Sequence, residues 1–134
     1  MVLVDTNVLV YLILRGDRTN DAQRLFSGDP DWYSESFVLI ELTNVLTTYV
    51  RTSRLTLQRA RNAFSSAEKA LRGLVRVQHV RAMEVAAVHG VSAYDARFLA
   101  AAADAGTPLV TEDARLRAAA PTLTMSLAQA LSGH

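Results

Sequence analysis

The sequence predicts an α/β fold: a three-layer α/β/α sandwich around a mainly parallel central sheet. Two observations predict it. Short apolar runs alternate with longer stretches of helical period from one end of the chain to the other, and such alternation implies parallel strands with helices on both faces. The chain also opens on Val2, Leu3 and Val4, a wholly apolar run closed by the polar Asp5-Thr6-Asn7. That pattern reads as a buried strand with an acid just past its carboxyl end, where open α/β sheets collect their ligands.

The elements follow in order. Thr6 or Asn7 is placed to cap a first helix through Val8 to Leu14. Gly16 to Asn20 reads as a turn, and Thr19 or Asn20 caps a helix from Asp21 to Phe26. Gly28, Asp29, Pro30 and Asp31 mark a loop. Trp32 and Tyr33 form a short strand ending near Ser34, and Ser36 opens a long helix to about Arg51. Thr56 caps an amphipathic helix to Leu71, with Gly73 as its stop. Leu74 to Val77 is a strand. Helices then end at Gly90 and Gly106, the second opened by Ser92. Pro108 to Thr111 is a strand, Asp113 to Ala119 a short helix, and Leu123 to Met125 an edge strand before a tail helix. Crossovers are expected to be right-handed.

Size and composition narrow the function. The 134 residues suit one domain with a real core, here 1–134. There is no cysteine, which excludes disulfides and thiolate ligands and fits a reducing cytoplasm. No secretory leader is legible, and Val8 to Leu14 is far too short to span a bilayer. The net charge is +1, so no global basic field marks a nucleic-acid binder. Of fourteen basic side chains all but Lys69 are arginine, a residue suited to bidentate phosphate contacts, although ordinary solvated helix faces explain the same count.

Four acids then need an explanation. Glu41 falls on a stripe with Phe37, Ile40 and Val45, so its carboxylate faces the core or a crevice in it. A charge there must be paired, protonated or metal-bound, and an arginine salt bridge is the plain structural alternative. Asp95 follows Ser92 by three residues, which is a capping-box spacing. Asp113 lies two residues after Thr111, where a helix cap is again the plain reading, and Glu112 reads as a solvated neighbour. Asp5 itself can be merely the polar end of a strand, capping the first helix. Each alternative covers one acid, whereas a parallel sheet brings all four to one crevice. Carboxylates about 5 Å apart repel by ~3 kcal/mol per pair at an effective dielectric near 20. Such a cluster calls for protonation or a cation, and all-oxygen ligation selects Mg²⁺ or Mn²⁺. His79, His89 and His134 lie away from these positions and receive no catalytic role.

The pieces V-D-T-N-V-L, S-F-V-L-I-E-L, V-S-A-Y-D-A-R-F-L-A-A-A and L-V-T-E-D-A-R-L together resemble the PIN-domain nucleases, and the VapC-type toxin branch in particular. The resemblance covers essentially the whole chain. It implies a metal-dependent endoribonuclease in which Asp5, Glu41, Asp95 and Asp113 hold one or two Mg²⁺ ions, with Mn²⁺ able to substitute. Asn7 and Thr111 orient ligands or water, and Asn44 stands one turn beyond Glu41. Water, not the RNA 2′-hydroxyl, is the expected nucleophile, leaving a 5′-phosphate and a 3′-hydroxyl. Arg97 and Arg115 are placed for a crevice rim, with solvent exposure the plainer reading. Trp32 and Tyr94 are candidates to stack on bases, with packing the plainer reading. The resemblance further implies a homodimer, inhibited by a small antitoxin that lays an apolar segment on the protein. Apolar helix residues such as Leu42, Val45, Leu46, Tyr49 and Val50 offer one stripe to the sheet and another to such a partner. Two other classes compete: a non-catalytic scaffold of the same fold that binds RNA or protein, and a phosphoacceptor signalling domain. The second wants paired acids after the first strand and a late lysine, but Asp5 stands alone and Lys69 is mid-helix.

Overall fold

The computed structural model describes residues 1–133, so the reading of His134 falls outside the described residues. Five strands form one sheet in the order β3-β2-β1-β4-β5: β1 (Val2–Val4), β2 (Trp32–Glu35), β3 (Leu71–Val75), β4 (Leu109–Val110) and β5 (Thr124–Met125). Every pairing is parallel. Eight helices among the described residues complete the sandwich: α1 (Thr6–Ile13), α2 (Thr19–Gly28), α3 (Phe37–Arg51), α4 (Leu57–Ala70), α5 (His79–His89), α6 (Ala93–Ala105), α7 (Ala114–Ala119) and α8 (Leu127–Ser132). The α/β/α architecture is therefore the expected one.

The central strand explains the opening run. Val2, Leu3 and Val4 are all buried because β1 has a parallel neighbour on each side and helices above and below. From β1 the chain steps outward through β2 to β3, then returns to the other side of β1 for β4. The strand order thus reverses between β1 and β4, and that switch point is where a crevice opens at the carboxyl ends. Leu3 pairs with Leu109 and Val4 with Val110, which sets Asp5 beside Thr111.

Local chemistry corrects several expectations. Asp5, not Thr6 or Asn7, caps α1, because its Oδ1 accepts from the Val8 N–H at 3.0 Å. Helix α2 starts at Thr19, whose hydroxyl is spent on the turn, accepting from Gly16 N–H and donating to Leu14 C=O, each at 2.9 Å. Gly73 does not stop α4; it lies inside β3, which begins at Leu71. A Cβ there would meet Tyr33 Cε2 at 2.7 Å, so glycine answers a close approach between β2 and β3. Gly90 and Gly106, by contrast, do end their helices, both with φ of +66°, a left-handed cap.

The long helix α3 also rotates relative to expectation. Its core stripe is Val38, Leu42 and Leu46, all buried, while Ile40 is 63% exposed. Leu42 and Leu46 therefore serve the core and are not free for a partner. Glu41 stands at the edge of the stripe, half-buried. Trp32 is wholly buried and packs edge-on against Phe26 at 5.3 Å, so it is a core residue and no platform for a base.

Candidate functional site

One open cleft of about 650 Å³ is lined by Asp5, Glu41, Asp95 and Asp113 together, with Asn7, Asn44 and Tyr94 on the same wall. The four acids come from four separated segments. Asp5 follows β1, Glu41 sits in the second turn of α3, Asp95 in the first turn of α6, and Asp113 after β4. The structure thus brings together all four acids singled out in the sequence.

The plain structural reading holds for Asp5 and Asp113, in part for Asp95, and not for Glu41. Asp5 caps α1 and Asp113 caps α7, where Asp113 Oδ1 accepts from Arg115 N–H at 3.0 Å and Leu116 N–H at 3.2 Å. One oxygen of each carboxylate performs the capping. The box expected at Asp95 is one-sided: the Ser92 hydroxyl accepts from the Asp95 N–H at 3.0 Å, and the returning bond is not among those that cap α6. Glu41 has no arginine partner among the described residues. Its Oε1 instead accepts from the Thr6 hydroxyl at 2.5 Å.

The electrostatics follow from burial without a counter-charge. Burial pushes Asp5 up to about 6, with the charges of Glu41 and Asp113 adding to the rise, while the neighbouring Thr111 hydroxyl and the Val8 N–H oppose it. Glu41 is raised by burial, and by Asp95 and Glu35. Asp95 is raised by burial and by Asp113, and Arg115 partly offsets this. The acids therefore feel one another across the cleft. Thr111 is fully buried, and its hydroxyl accepts from the Asp113 N–H at 3.1 Å, so it stands between two of them. Asn7 is exposed and lines the opening.

The donor set is all oxygen, which matches a hard divalent cation. Among the described residues no three Asp, Glu or His side chains are drawn into a preformed ligand shell. A spread ring of carboxylates fits an ion such as Mg²⁺, which keeps several waters and takes one or two carboxylates directly.

Two polar residues nearby behave differently from their sequence readings. Arg97 does not face the rim. It donates to the Val77 carbonyl at 2.9 Å, contacts His79, and lies 3.8 Å from Glu35. Glu112 is not solvated: it pairs with Arg18 and Arg117 and accepts from the Leu127 N–H at 3.1 Å, tying α8 to the strand end. Tyr94 stacks on Phe37, with ring centroids 5.2 Å apart and planes at 12°, which leaves it 61% exposed.

Sequence reasoning passed over Glu35. It is fully buried at the end of β2 and accepts from the Ser36 hydroxyl at 2.8 Å and the Phe37 N–H at 3.0 Å. The buried arginine pairing considered for Glu41 belongs here. The available signal was an acid at a strand's carboxyl end, the same signal that marks Asp5.

The model of the PIN domain matches residues 2–121. The chain belongs to the PIN-domain family. No curated protein is matched by the sequence. Among solved structures, this PIN domain is similar to the crystal structure of PAE2754 from Pyrobaculum aerophilum. The TM-score is 0.81 at 21% identity, covering 98% of this chain and 92% of that one. Likeness at that identity concerns the fold. PIN domains are generally nucleases, and those nucleases typically use divalent metals. No helix among the described residues of this PIN domain is long and apolar enough to cross a membrane.

Proposed function

We propose that this PIN domain, residues 1–134, is a metal-dependent endoribonuclease that hydrolyses RNA phosphodiester bonds. The observation that carries the reading is the convergence of Asp5, Glu41, Asp95 and Asp113 on one cleft at the switch point of the sheet. The residues that would hold a Mg²⁺ or Mn²⁺ ion are these four, and the chemistry the ion supplies when bound is a lowered water pKa and compensation of phosphoryl charge.

The chain's own residues prepare that chemistry. Asp5 and Asp113 are fixed by the helices they cap, so their carboxylates keep their place without a ligand. Thr6 holds Glu41 by its hydroxyl, and Thr111 spaces Asp5 from Asp113. Asn7, on the opening, is placed to orient water or a phosphoryl oxygen. Arg115, whose charge acts on Asp95, is a cation for the approaching backbone. Tyr94, already stacked and exposed, offers an aromatic face to an unstacked base.

Incubation of a mixed RNA pool with Mg²⁺, Mn²⁺ or EDTA tests this. The protein cuts with metal and not with EDTA, the new ends carry 5′-phosphate and 3′-hydroxyl, and Asp95→Asn cuts at least a hundredfold more slowly. Products ending in 2′,3′-cyclic phosphate, or cutting that survives in EDTA, would sink the reading. Matched DNA in the same assay separates ribonuclease from deoxyribonuclease.

The toxin role, a small antitoxin, a homodimer and a cytoplasmic place complete the proposal, on the strength of the resemblance to VapC-type toxins. Light scattering at high concentration checks the dimer, and growth arrest on induced expression checks the toxin role. A catalytically silent RNA-binding scaffold is the alternative, favoured if metal leaves the melting temperature unchanged. The phosphoacceptor reading has no support: no second acid stands beside Asp5 in the sequence, and Lys69 is not among the residues that line the cleft.

A further inference from the structure

A second pocket, of about 450 Å³, opens where the end of α1 meets the end of α3 and the start of α4. Its polar lining is Arg15, Arg54, Arg59, Asn62, Ser66 and Tyr49, and no acid is among its lining residues. Six other arginines of the described residues are engaged with carboxylates. Arg15, Arg54 and Arg59 form no ion pair among the described residues; Arg51, Arg61, Arg76 and Arg115 form none either, but only these three line one pocket without an acid. Three guanidinium groups gathered without a counter-charge make a site whose missing component is an anion.

One side of the pocket, at Arg54, is held in place. Arg54 stacks over the Tyr49 ring, 4.6 Å from its centroid. The backbone beneath is pinned as well, because Arg54 N–H and Leu55 N–H both donate to the Tyr49 carbonyl, at 2.8 and 3.2 Å. Ser53, with φ of 59°, is the only non-glycine residue at positive φ among those described. That turn, unfavourable for serine, presents Arg54 to the pocket. The Asn62 carbonyl is occupied by the Gln58 amide at 3.0 Å, which leaves the Asn62 NH₂ group to donate outward. Arg59 lies in the first turn of α4, at its electropositive end.

The position relates the pocket to the acidic cleft. Helix α1 runs from Asp5 to this pocket, and α3 runs from Glu41 to Tyr49, each about 12 Å along the helix axis. A single strand held at the acids and lying along these helices reaches the arginines after a few nucleotides. Resting on the ribonuclease reading of the cleft, we infer that Arg15, Arg54 and Arg59 form a second phosphate subsite for the backbone of single-stranded RNA. Planar guanidinium groups bind phosphate bidentately, so the subsite sets register and orientation without reading sequence.

The test compares wild type with Arg54→Gln/Arg59→Gln, and with Arg51→Gln/Arg61→Gln as an equal charge loss on the neighbouring α3–α4 groove. Binding of a labelled 12-nucleotide RNA is measured in EDTA across a salt series. Loss of the subsite weakens binding about tenfold or more at low salt and flattens the salt slope by about 1.4, at roughly 0.7 per phosphate contact. The control pair leaves both nearly unchanged. Equal losses in the two pairs, no loss in either, or no RNA binding by the wild type overturns the inference. So does a loss seen with matched DNA alone, or displacement of polyglutamate but not RNA. Hydrolysis of a small phosphodiester ester with Mn²⁺ is run in parallel, and it stays unchanged in Arg54→Gln/Arg59→Gln because the ester cannot span to the pocket. If the wild type hydrolyses neither ester nor RNA, the nuclease reading fails while the binding result still decides the subsite.

Discussion

The Thr6 hydroxyl donates to Glu41 Oε1 at 2.5 Å, joining the first turn of α1 to the second turn of α3. Glu41, like Asp95, caps no helix, and this bond is what fixes it. Thr6→Val leaves Glu41 half-buried with nothing to hold it. On the ribonuclease reading, cleavage of RNA then falls about tenfold while the melting temperature changes little. Glu41→Gln removes the charge altogether; cleavage falls at least a hundredfold without loss of stability, since burial already disfavours the ionised form. A Glu41→Gln protein that cuts normally removes Glu41 from the site.

Asp5 makes the metal-free protein less stable as pH rises. Burial pushes its carboxyl up to about 6 in the native state, from 3.8 for an aspartate in water. Between those values the native state binds more protons than the unfolded one, so stability falls across that window and levels off above it. Asp5→Asn keeps a capping oxygen and removes the penalty. In EDTA it melts several degrees above wild type at pH 7.5, by an energy of up to ~3 kcal/mol for a shift of this size, and the gap closes near pH 4. Calorimetry at both pH values measures it; a lower melting point for Asp5→Asn at pH 7.5 contradicts the assignment.

The proposed metal site predicts that cation binding reverses that penalty. Mn²⁺ at about ten times its dissociation constant stabilises the native state by ~1.4 kcal/mol, a rise of roughly 3 to 6 °C for a chain of this length. The rise disappears in Asp95→Asn. Thermal melts with and without Mn²⁺ decide the matter before any substrate is known.

Glu35 and Arg97 form a buried pair whose loss is structural. Arg97→Ala leaves a fully buried carboxylate without its cation, and the stability lost is ~3 kcal/mol or more. Glu35 also accepts from the first residues of α3, so Glu35→Ala frays the start of the helix that carries Glu41. Urea titration reads both. Stability within ~1 kcal/mol of wild type would mean that backbone donors alone satisfy Glu35.

The approach of Gly73 to Tyr33 predicts a compensated pair. Gly73→Ala forces its Cβ against the tyrosine ring and destabilises the protein by about 1 to 2 kcal/mol. Tyr33→Leu makes room, so the double variant recovers part of the loss. Additive losses would show that the strain lies in the backbone instead.

The alternation of apolar runs and helical periods made the layers and the order of elements legible, because those signals depend only on neighbours along the chain. Asp5, Asp95 and Asp113 were legible for the same reason, each marked by an adjacent strand end or cap. Glu41 was noticed for a stripe that α3 does not use: the core takes Val38, Leu42 and Leu46, and only packing decides which of two overlapping stripes turns inward. Gly73 looked like a helix stop because its purpose is set by Tyr33, forty residues earlier. Arg97, Glu112 and Glu35 were hidden for a related reason. Their partners lie on other elements, and no local spacing announces a pair closed by the tertiary fold.

Capping ties two of the four acids to the folding of the protein as well as to its chemistry. Folding alone accepts Asp, Asn, Ser or Thr at positions 5 and 113, and it asks no carboxylate of positions 41 and 95. On the ribonuclease reading, a lineage released from cutting RNA would therefore drift first at Glu41 and Asp95 and would keep hydrogen-bonding residues at 5 and 113 long afterwards. Retained caps testify to an intact scaffold, and the acids on α3 and α6 are the residues whose presence distinguishes a working copy from a silent one.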